Sequence, residues 1–572
     1  MPAAPIIGID LGTTTSMVCV ANAAGTIEII QLHPDMPGEP GYMPSAFLYT
    51  GNECLIGRLA ENQRGRYGEG NIVRNIKRAM NDPLNKYKSG GEIFNPIQIS
   101  SRLLEYMRQR AEQQLKLPDG SITEAVITVP AHFGDIARRA TEAAAHQAGL
   151  KNTYLLPEPV AAAIGLGLHT SRRSRLVVVV DLGGGTLDIT LLMLGRNVGK
   201  AGFRILAMGG DVEFGGLNWD EKIARQAVET YLCDVYDCPD PLKLKRMLNI
   251  QQSYGVYKEA ERLKILLNMS QHLEQDRFVI DDPDLPENKE SDYIVTRTEF
   301  HKLSLGLAQH VAAVCDALLR EVQEEDCQFI ADYRRRWYQF FRAPEMKPVG
   351  WSDIDGLYLV GGGGLIQEVQ DVLKDRCGGV LPKQTLDPQH CVAFGAARCA
   401  ASLVETPDLF RRLRTRSPHT YGVFAHPKSK KQPTFHPLIH QNTVLPYEPQ
   451  KPARFRVRNR GDFFSVKVVE VRVLSSRARE VIQMADRNGN GADSEWIPLP
   501  TLPGRREIWL DAKNDREYHV VAVPRIEDIG TTEPEEGEQV YFRVRYPESG
   551  SLVFSVKFRG KLCEVKLDSL KS

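Results

Sequence analysis

Cysteine is sparse in this chain and without pattern. There are ten in 572 residues, and the closest pair, Cys233 and Cys238, misses the CxxC spacing of zinc ribbons and redox motifs. That argues against a disulfide framework and leaves free thiols in a reducing compartment as the reading. His426, His436 and His440 lack metal-finger spacing and have no cysteine nearby, so they read as turn or surface histidines. No run of about 18 apolar residues stands out as a membrane span. The N-terminus, Met-Pro-Ala-Ala-Pro, enters a strand without the basic and apolar stretches of a secretory signal. The expectation is a cytoplasmic protein with no membrane partner. Charge of one sign is missing too: 72 basic side chains balance 72 acidic ones, which gives no reason to expect nucleic acid. The balance hides an asymmetry, since residues 407–572 hold 29 Lys and Arg against 21 Asp and Glu, a difference that can help domains dock. A calcium loop is imitated and fails. Asp486-Arg487-Asn488-Gly489-Asn490-Gly491 opens like one, but its twelfth position is Ile497 where a bidentate glutamate is needed, so a glycine-rich hairpin turn is the better reading.

What is present is a repeated phrase. Ile6-Ile7-Gly8-Ile9-Asp10-Leu11-Gly12-Thr13-Thr14 returns as Val178-Val179-Val180-Asp181-Leu182-Gly183-Gly184-Gly185-Thr186. Each is a buried apolar strand, then Asp-Leu-Gly, then a tight turn. A third glycine turn, Val360-Gly361-Gly362-Gly363-Gly364, follows the apolar run 356–359. Gly209-Gly210-Asp211 and Gly215-Gly216 add a fourth. Glycine lets backbone N–H groups approach an anion closely. Mg2+ keeps most of its waters and needs few protein oxygens. Duplicated Asp-Leu-Gly turns therefore suggest two related lobes closing on a phosphate-bearing ligand, with Asp10 and Asp181 holding a hydrated metal. Gly12, Thr13 and Thr14 would cradle phosphates from one side, and Gly183, Gly184, Gly185 and Thr186 from the other. Any one such turn is a common strand end; it is their recurrence that carries weight.

At this length two to four domains are expected. Residues 1 to about 400 alternate strands (5–10, 16–21, 124–129, 175–181, 186–193, 203–208, 356–360) with amphipathic helices (98–116, 134–148, 158–168, 217–232, 256–268, 297–324, 365–375), an α/β layered pattern. From about 405 the texture becomes basic and then alternates with period two, at 453–458, 465–471, 540–545 and 552–557, as in an all-β sandwich. The chain ends in this texture, leaving no room for a terminal helical bundle. The segment 325–353 interleaves Tyr333-Arg334-Arg335-Arg336-Trp337-Tyr338 with Phe340-Phe341. It reads as an amphipathic helix extension with snorkelling arginines rather than a nucleic-acid surface.

Taken in order, these motifs resemble the DnaK-type heat-shock 70 kDa chaperone family, within the actin-like ATPases. Gly8 to Thr14 resembles its first phosphate loop and Asp181 to Asp188 its second. Asn71-Ile72-Val73-Arg74-Asn75-Ile76-Lys77-Arg78 resembles the segment with the catalytic lysine, and Val129-Pro130-Ala131-His132-Phe133…Arg138 the proline-switch segment. Pro157-Glu158-Pro159 resembles the catalytic-glutamate stretch, and Gly215-Gly216-Leu217-Asn218-Trp219-Asp220 a Gly-Gly-x-Asp-Phe-Asp element. Ala393-Phe394-Gly395-Ala396-Ala397 resembles the close of the ATPase domain. The likeness covers roughly residues 5–400. It implies a two-lobed actin-like, duplicated ribonuclease H-like nucleotide-binding domain over 1–402 (lobe I about 1–172, lobe II about 173–402). A basic linker over 403–418 and a substrate- or partner-binding β-sandwich over 419–572, without a helical lid, would follow. ATP or ADP, Mg2+ and K+ are the implied cofactors. Lys77, Glu158, Asp181 and Thr186 become the catalytic set for slow hydrolysis, with Asp10 and Asp181 at the metal through water. Asp188 lines the same pocket, and Pro130 and Arg138 relay nucleotide state. Unfolded polypeptide clients, a J-domain co-chaperone and a nucleotide-exchange factor are the implied partners.

The chain departs from the family twice. The family stacks adenine between two arginines. Here Glu261, Lys264 and Asn268 still line the base and ribose end, with Gly215, Gly216, Gly361 and Gly362, but the stacking positions are Ile265 and Leu365. Losing both planar cations forfeits up to about 2 kcal/mol of cation–π contact, so the expectation is weaker ATP binding or a looser base preference. The linker, Asp408-Leu409-Phe410-Arg411-Arg412-Leu413, is arginine-rich where the family is acidic and apolar. Three functions stay open: a chaperone-like machine, a nucleotide-dependent switch or scaffold for one folded partner, and a small-molecule kinase on the same two-lobed core.

Overall fold

A computed structural model describes residues 4–405 except 23–24, 35–40, 172, 196–197, 199–202, 237–241, 243, 245–246, 249–253, 270–272, 281–291, 339–347 and 379–387. Beyond these it describes 416–425, 434–445 and the C-terminal strands given below. The linker segment 408–413, the decoy loop 486–491 and His426 lie outside the described residues. The chain divides into two compact units, one of residues 1–131 and 140–409, the other of 132–139 and 410–572.

The first unit holds two larger sheets of mixed direction, beside three two-stranded antiparallel ones: Phe47–Tyr49 with Cys54–Ile56, Tyr87–Ser89 with Glu92–Phe94, and Gln275–Val279 with Asp292–Thr296. In the first larger sheet, β1 (Ile7–Leu11) pairs antiparallel with β2 (Thr15–Ala21), which carries β3 (Ile27–Ile29) and β4 (Tyr42–Pro44). On its other side β1 runs parallel to β5 (Glu124–Val129), and β5 to β6 (Asn152–Pro157). The second sheet repeats the hairpin. β7 (Arg175–Leu182) pairs antiparallel with β8 (Leu187–Leu194), β8 with β9 (Phe203–Asp211), and β7 runs parallel to β10 (Gly356–Val360). Val177 to Val180 are at most 1% exposed, as a β-branched run covered on both faces should be.

The longer described helices are α1 (Pro96–Gln114), α2 (Asp135–Gln147, which spans the division between the units), α3 (Glu158–Gly165), α4 (Gly216–Tyr236), α5 (Tyr254–Met269), α6 (Arg297–Arg320), α7 (Glu324–Tyr338), α8 (Gln367–Arg376) and α9 (Cys391–Glu405). Capping boxes start two of them, Asn95 with Gln98 and Thr296 with Glu299, each satisfying orphan N–H groups at both positions. Three expectations are amended. The helix expected over 158–168 ends at Gly165, because Gly167 turns into the left-handed region (φ 73°). The helix expected over 297–324 stops at Arg320, and a separate helix, α7, begins at Glu324. Among the described residues α6 is one helix long and apolar enough to cross a membrane by length and composition, a window the sequence reading passed over. Its Phe300, Leu307, Val311 and Leu318 belong to the core cluster around the second sheet.

The described strands of the second unit are all antiparallel. Thr434–Ile439, Thr420–Ala425, Val468–Val471 and Tyr518–Ala522 form one sheet, in that order. Ala453–Arg456, Gln539–Arg545, Val553–Phe558 and Lys561–Val565 form another. Trp496–Leu499 pairs with Ile508–Asp511 as a hairpin.

Candidate active site

Asp10 and Asp181 sit near the ends of equivalent strands, each followed by its glycine turn and a return strand. The registers are not equivalent: Asp10 lies opposite Met17, whereas Asp181 lies opposite Asp188. The second hairpin therefore places two carboxyls side by side on neighbouring strands, where residues directly opposite have Cβ atoms about 5 Å apart.

Around these strands a buried acid cluster forms. Lys77, on the short 3-10 segment Ile76–Asn81, pairs with Glu158 at the start of α3, and both side chains are under a tenth exposed. Thr128 of β5 donates to Asp10 Oδ1 at 2.9 Å. Asp188 is fully buried and accepts from the Ala131 N–H just after Pro130. Burial raises the Asp10 carboxyl above its ordinary value, against the pull of Lys77 and Thr128. Burial pushes Asp181 up to about 8, with Asp188 and Asp10 adding to it and Lys77 opposing. Glu158 is held well above its ordinary range, first by burial; Lys77 counters, while Asp188, Asp10 and Asp181 add to the rise. For Lys77 burial alone pulls down, but Glu158, Asp10 and Asp188 together leave it raised. Three buried carboxyl groups and the partly buried Asp10 against one ammonium make a site short of positive charge, the condition a divalent cation relieves. Among the described residues no three His, Cys, Asp or Glu form a direct ligand set.

The glycine turns meet at this cluster. A Cβ on Gly185 would overlap the Thr13 side chain, and one on Gly184 that of Thr14, so the two turns face each other with no room for side chains. Gly183 N–H donates to Thr186 O at 3.0 Å, and Gly216 N–H donates to Gly183 O at 2.9 Å. A Cβ on Gly215 would come within 2.7 Å of the Gly185 nitrogen, and one on Gly361 (φ +76°) within 2.7 Å of Asp181 Oδ1. Thr13 and Thr186 are buried. Asp10, Lys77, Glu158 and Asp181 are thus brought together, beside the turns that carry Thr13, Thr14, Gly184, Gly185, Gly215 and Gly361.

The remaining residues singled out in the sequence lie around this centre. Lys264 pairs with Asp220 at 2.7 Å and donates to Gly216 O at 3.2 Å. Burial pushes Asp220 up to about 6 against that lysine, with Glu261 adding to the rise. Asn268 donates to Leu365 O and accepts from Gln367 N–H, both at 2.8 Å, stapling α5 to the loop after β10. Ile265, one turn back on α5, is 46% exposed. Gly362 is exposed, and a Cβ there would meet Gln389 Nε2 at 3.2 Å. Pro130 is buried at the end of β5. Arg138, in the second unit, donates to Phe133 O at 3.0 Å. Two contributors escaped the sequence reading. Thr128 could have been found as the lone inward hydroxyl of an apolar strand. Arg78, next to Lys77, carries no pattern in the sequence that points to a role.

A family model described as "Hsp70 protein" matches residues 6–331. The chain is 30% identical over 470 residues to "Chaperone protein DnaK" of Anaplasma marginale (strain St. Maries), which covers 78% of this chain and 64% of that relative. It is 30% identical over 396 residues to "Chaperone protein DnaK" of Mycoplasmoides gallisepticum (strain R(low / passage 15 / clone 2)), covering 68% and 59%. The chain spans less than two thirds of the length of these curated relatives.

Proposed function

Because the chain belongs to the Hsp70 family, we propose that it is a slow, magnesium-dependent ATPase that couples nucleotide state to the binding of extended polypeptide. The observation that carries this reading is the buried acid cluster around Lys77, between two facing glycine turns. Mg2+ would supply the positive charge that the cluster lacks and screen the triphosphate. Asp10 and Asp181 hold its water shell. The N–H groups of the 12–14 and 184–186 turns take the phosphate oxygens. Lys77, aligned by Glu158, stabilises charge on the terminal phosphoryl group and orients the attacking water, which is most of what phosphoryl transfer asks of a protein. Thr186 and Asp188 line the pocket, and K+ is a further ion for it. The purine lies near Glu261, Lys264 and Asn268 between Ile265 and Leu365. Aliphatic walls in place of arginines weaken ATP binding or loosen base choice.

The nucleotide-binding domain spans 1–402 in two lobes of actin-like type, the linker 403–418 and the β-sandwich 419–572. A sandwich of this kind holds an extended segment by main-chain hydrogen bonds and an apolar pocket. Pro130 and Arg138 report nucleotide state to it, and a J-domain protein and an exchange factor act on the cycle. The second reading, a nucleotide-dependent switch for one folded partner, is favoured by the arginine-rich segment Asp408 to Leu413. Phosphate release with and without unfolded peptide separates the two. Stimulation by peptide supports the chaperone-like cycle; a steady rate across peptides, with phosphotransfer to a sugar panel also negative, leaves the switch.

A further inference from the structure

Arg78 follows Lys77 on the same 3-10 segment, and the two side chains serve different parts of the site. Lys77 enters the carboxylate cluster. The Arg78 guanidinium reaches the turn between β7 and β8, donating from Nε and Nη2 to Gly185 O at 3.0 and 2.7 Å. Nη2 also donates to Glu213 O at 3.3 Å, on the turn that leads into Gly215 and Gly216. We propose that Arg78 is a positioning residue, a latch that holds the 183–186 turn in its phosphate-ready form and slows escape of bound nucleotide; this rests on the nucleotide reading above. Three consecutive glycines lack an intrinsic preference for one backbone conformation, so the turn needs an external tie. In a trans peptide the carbonyl and the following N–H point in opposite directions. Pinning Gly185 O therefore also sets the direction of the Thr186 N–H. A planar guanidinium places two donors on one carbonyl and a contact on a second turn at once, which an ammonium does not. Burial, which lowers the Arg78 pKa against the nearby Glu213, Asp211 and Glu221, strengthens a charge-assisted bond to a main-chain carbonyl.

The test is release of a fluorescent ADP analogue from the full chain with Mg2+, chased by unlabelled ADP. Arg78→Ala is expected to release it at least about tenfold faster, the loss of one charge-assisted hydrogen-bond set, with the association rate little changed. Guanidinium ion added to that variant should slow release, Arg78→Lys should restore only a small part, and Glu213→Gln should match wild type because the tie is to the main chain. Release within about twofold of wild type by a folded Arg78→Ala, or full recovery in Arg78→Lys, overturns the latch. An Arg78→Ala that does not fold leaves the decision to Arg78→Lys. A wild type that does not bind the analogue overturns the nucleotide reading and the latch with it.

Discussion

Asp181 is the residue on which the site's electrostatics turn, since burial and two neighbouring carboxyls push it up to about 8. An unfolded chain releases this proton near 3.8, whereas the folded, metal-free protein keeps it to near 8. The folded state therefore binds the extra proton, and stability falls as pH rises from about 4 to about 8. Asp181→Asn removes that loss. Without metal or nucleotide its unfolding free energy should match wild type near pH 4 and exceed it at pH 8, by at least about 1 kcal/mol, the worth of one pKa unit. With Mg2+ and ATP the sign reverses, because the variant has lost a metal-shell carboxylate. Thermal melts across pH, with and without ligand, check both. Lys77→Ala is expected to cut phosphate release by at least about a hundredfold while nucleotide binding largely persists; normal turnover would remove its role. Ile265→Arg with Leu365→Arg should tighten ATP binding by up to about tenfold, and an unchanged dissociation constant would contradict the aliphatic-slot account. At this scale the aspartates were legible because the same phrase occurs twice. Arg78 was not, because what it touches depends on the packing of turns far apart in sequence, and Thr128 left only the signal of a lone hydroxyl in an apolar strand.

Elements in the first unit are held by close backbone approach as much as by side chains. A Cβ on Gly395 of α9 would overlap the Ala161 carbonyl of α3, one on Gly165 the Cys391 carbonyl, and one on Gly8 of β1 the backbone of Ala397. Backbone cannot yield as a flexible side chain can, so Gly395→Ala should destabilise by at least about 2 kcal/mol, measured as a lower midpoint in denaturant. A change below about 0.5 kcal/mol would show that the helices can part. The central strands of the two larger sheets could be read from apolar runs alone, because strands covered on both faces leave continuous hydrophobic stretches. Short partners such as β3 and β4 have three residues each, too few to show a period. Helix ends were the harder part. Gly167 and Glu321 set them through local backbone geometry, which hydrophobic spacing does not record.

The whole molecule joins a duplicated α/β unit, the larger part of it matched by the family model, to a unit of antiparallel strands. The duplication was plain in the sequence; the asymmetry within it was not. Met17 stands in the first hairpin where Asp188 stands in the second, so one hairpin supplies one carboxyl and the other two. The period-two texture after residue 450 announced strands at 453–456, 468–471, 539–545 and 553–558, but alternation alone does not say which strand pairs with which. In the proposed function Asp10 and Asp181 complete one hydrated-metal site for a nucleotide. Calorimetric titration of the full chain with a non-hydrolysable ATP analogue, in Mg2+ and in chelator, tests it most directly. The account predicts binding that requires Mg2+, and an Asp10→Asn/Asp181→Asn double variant about a hundredfold weaker that no longer responds to the metal. Equal affinity in chelator and in Mg2+, or a double variant that binds like wild type, would contradict it.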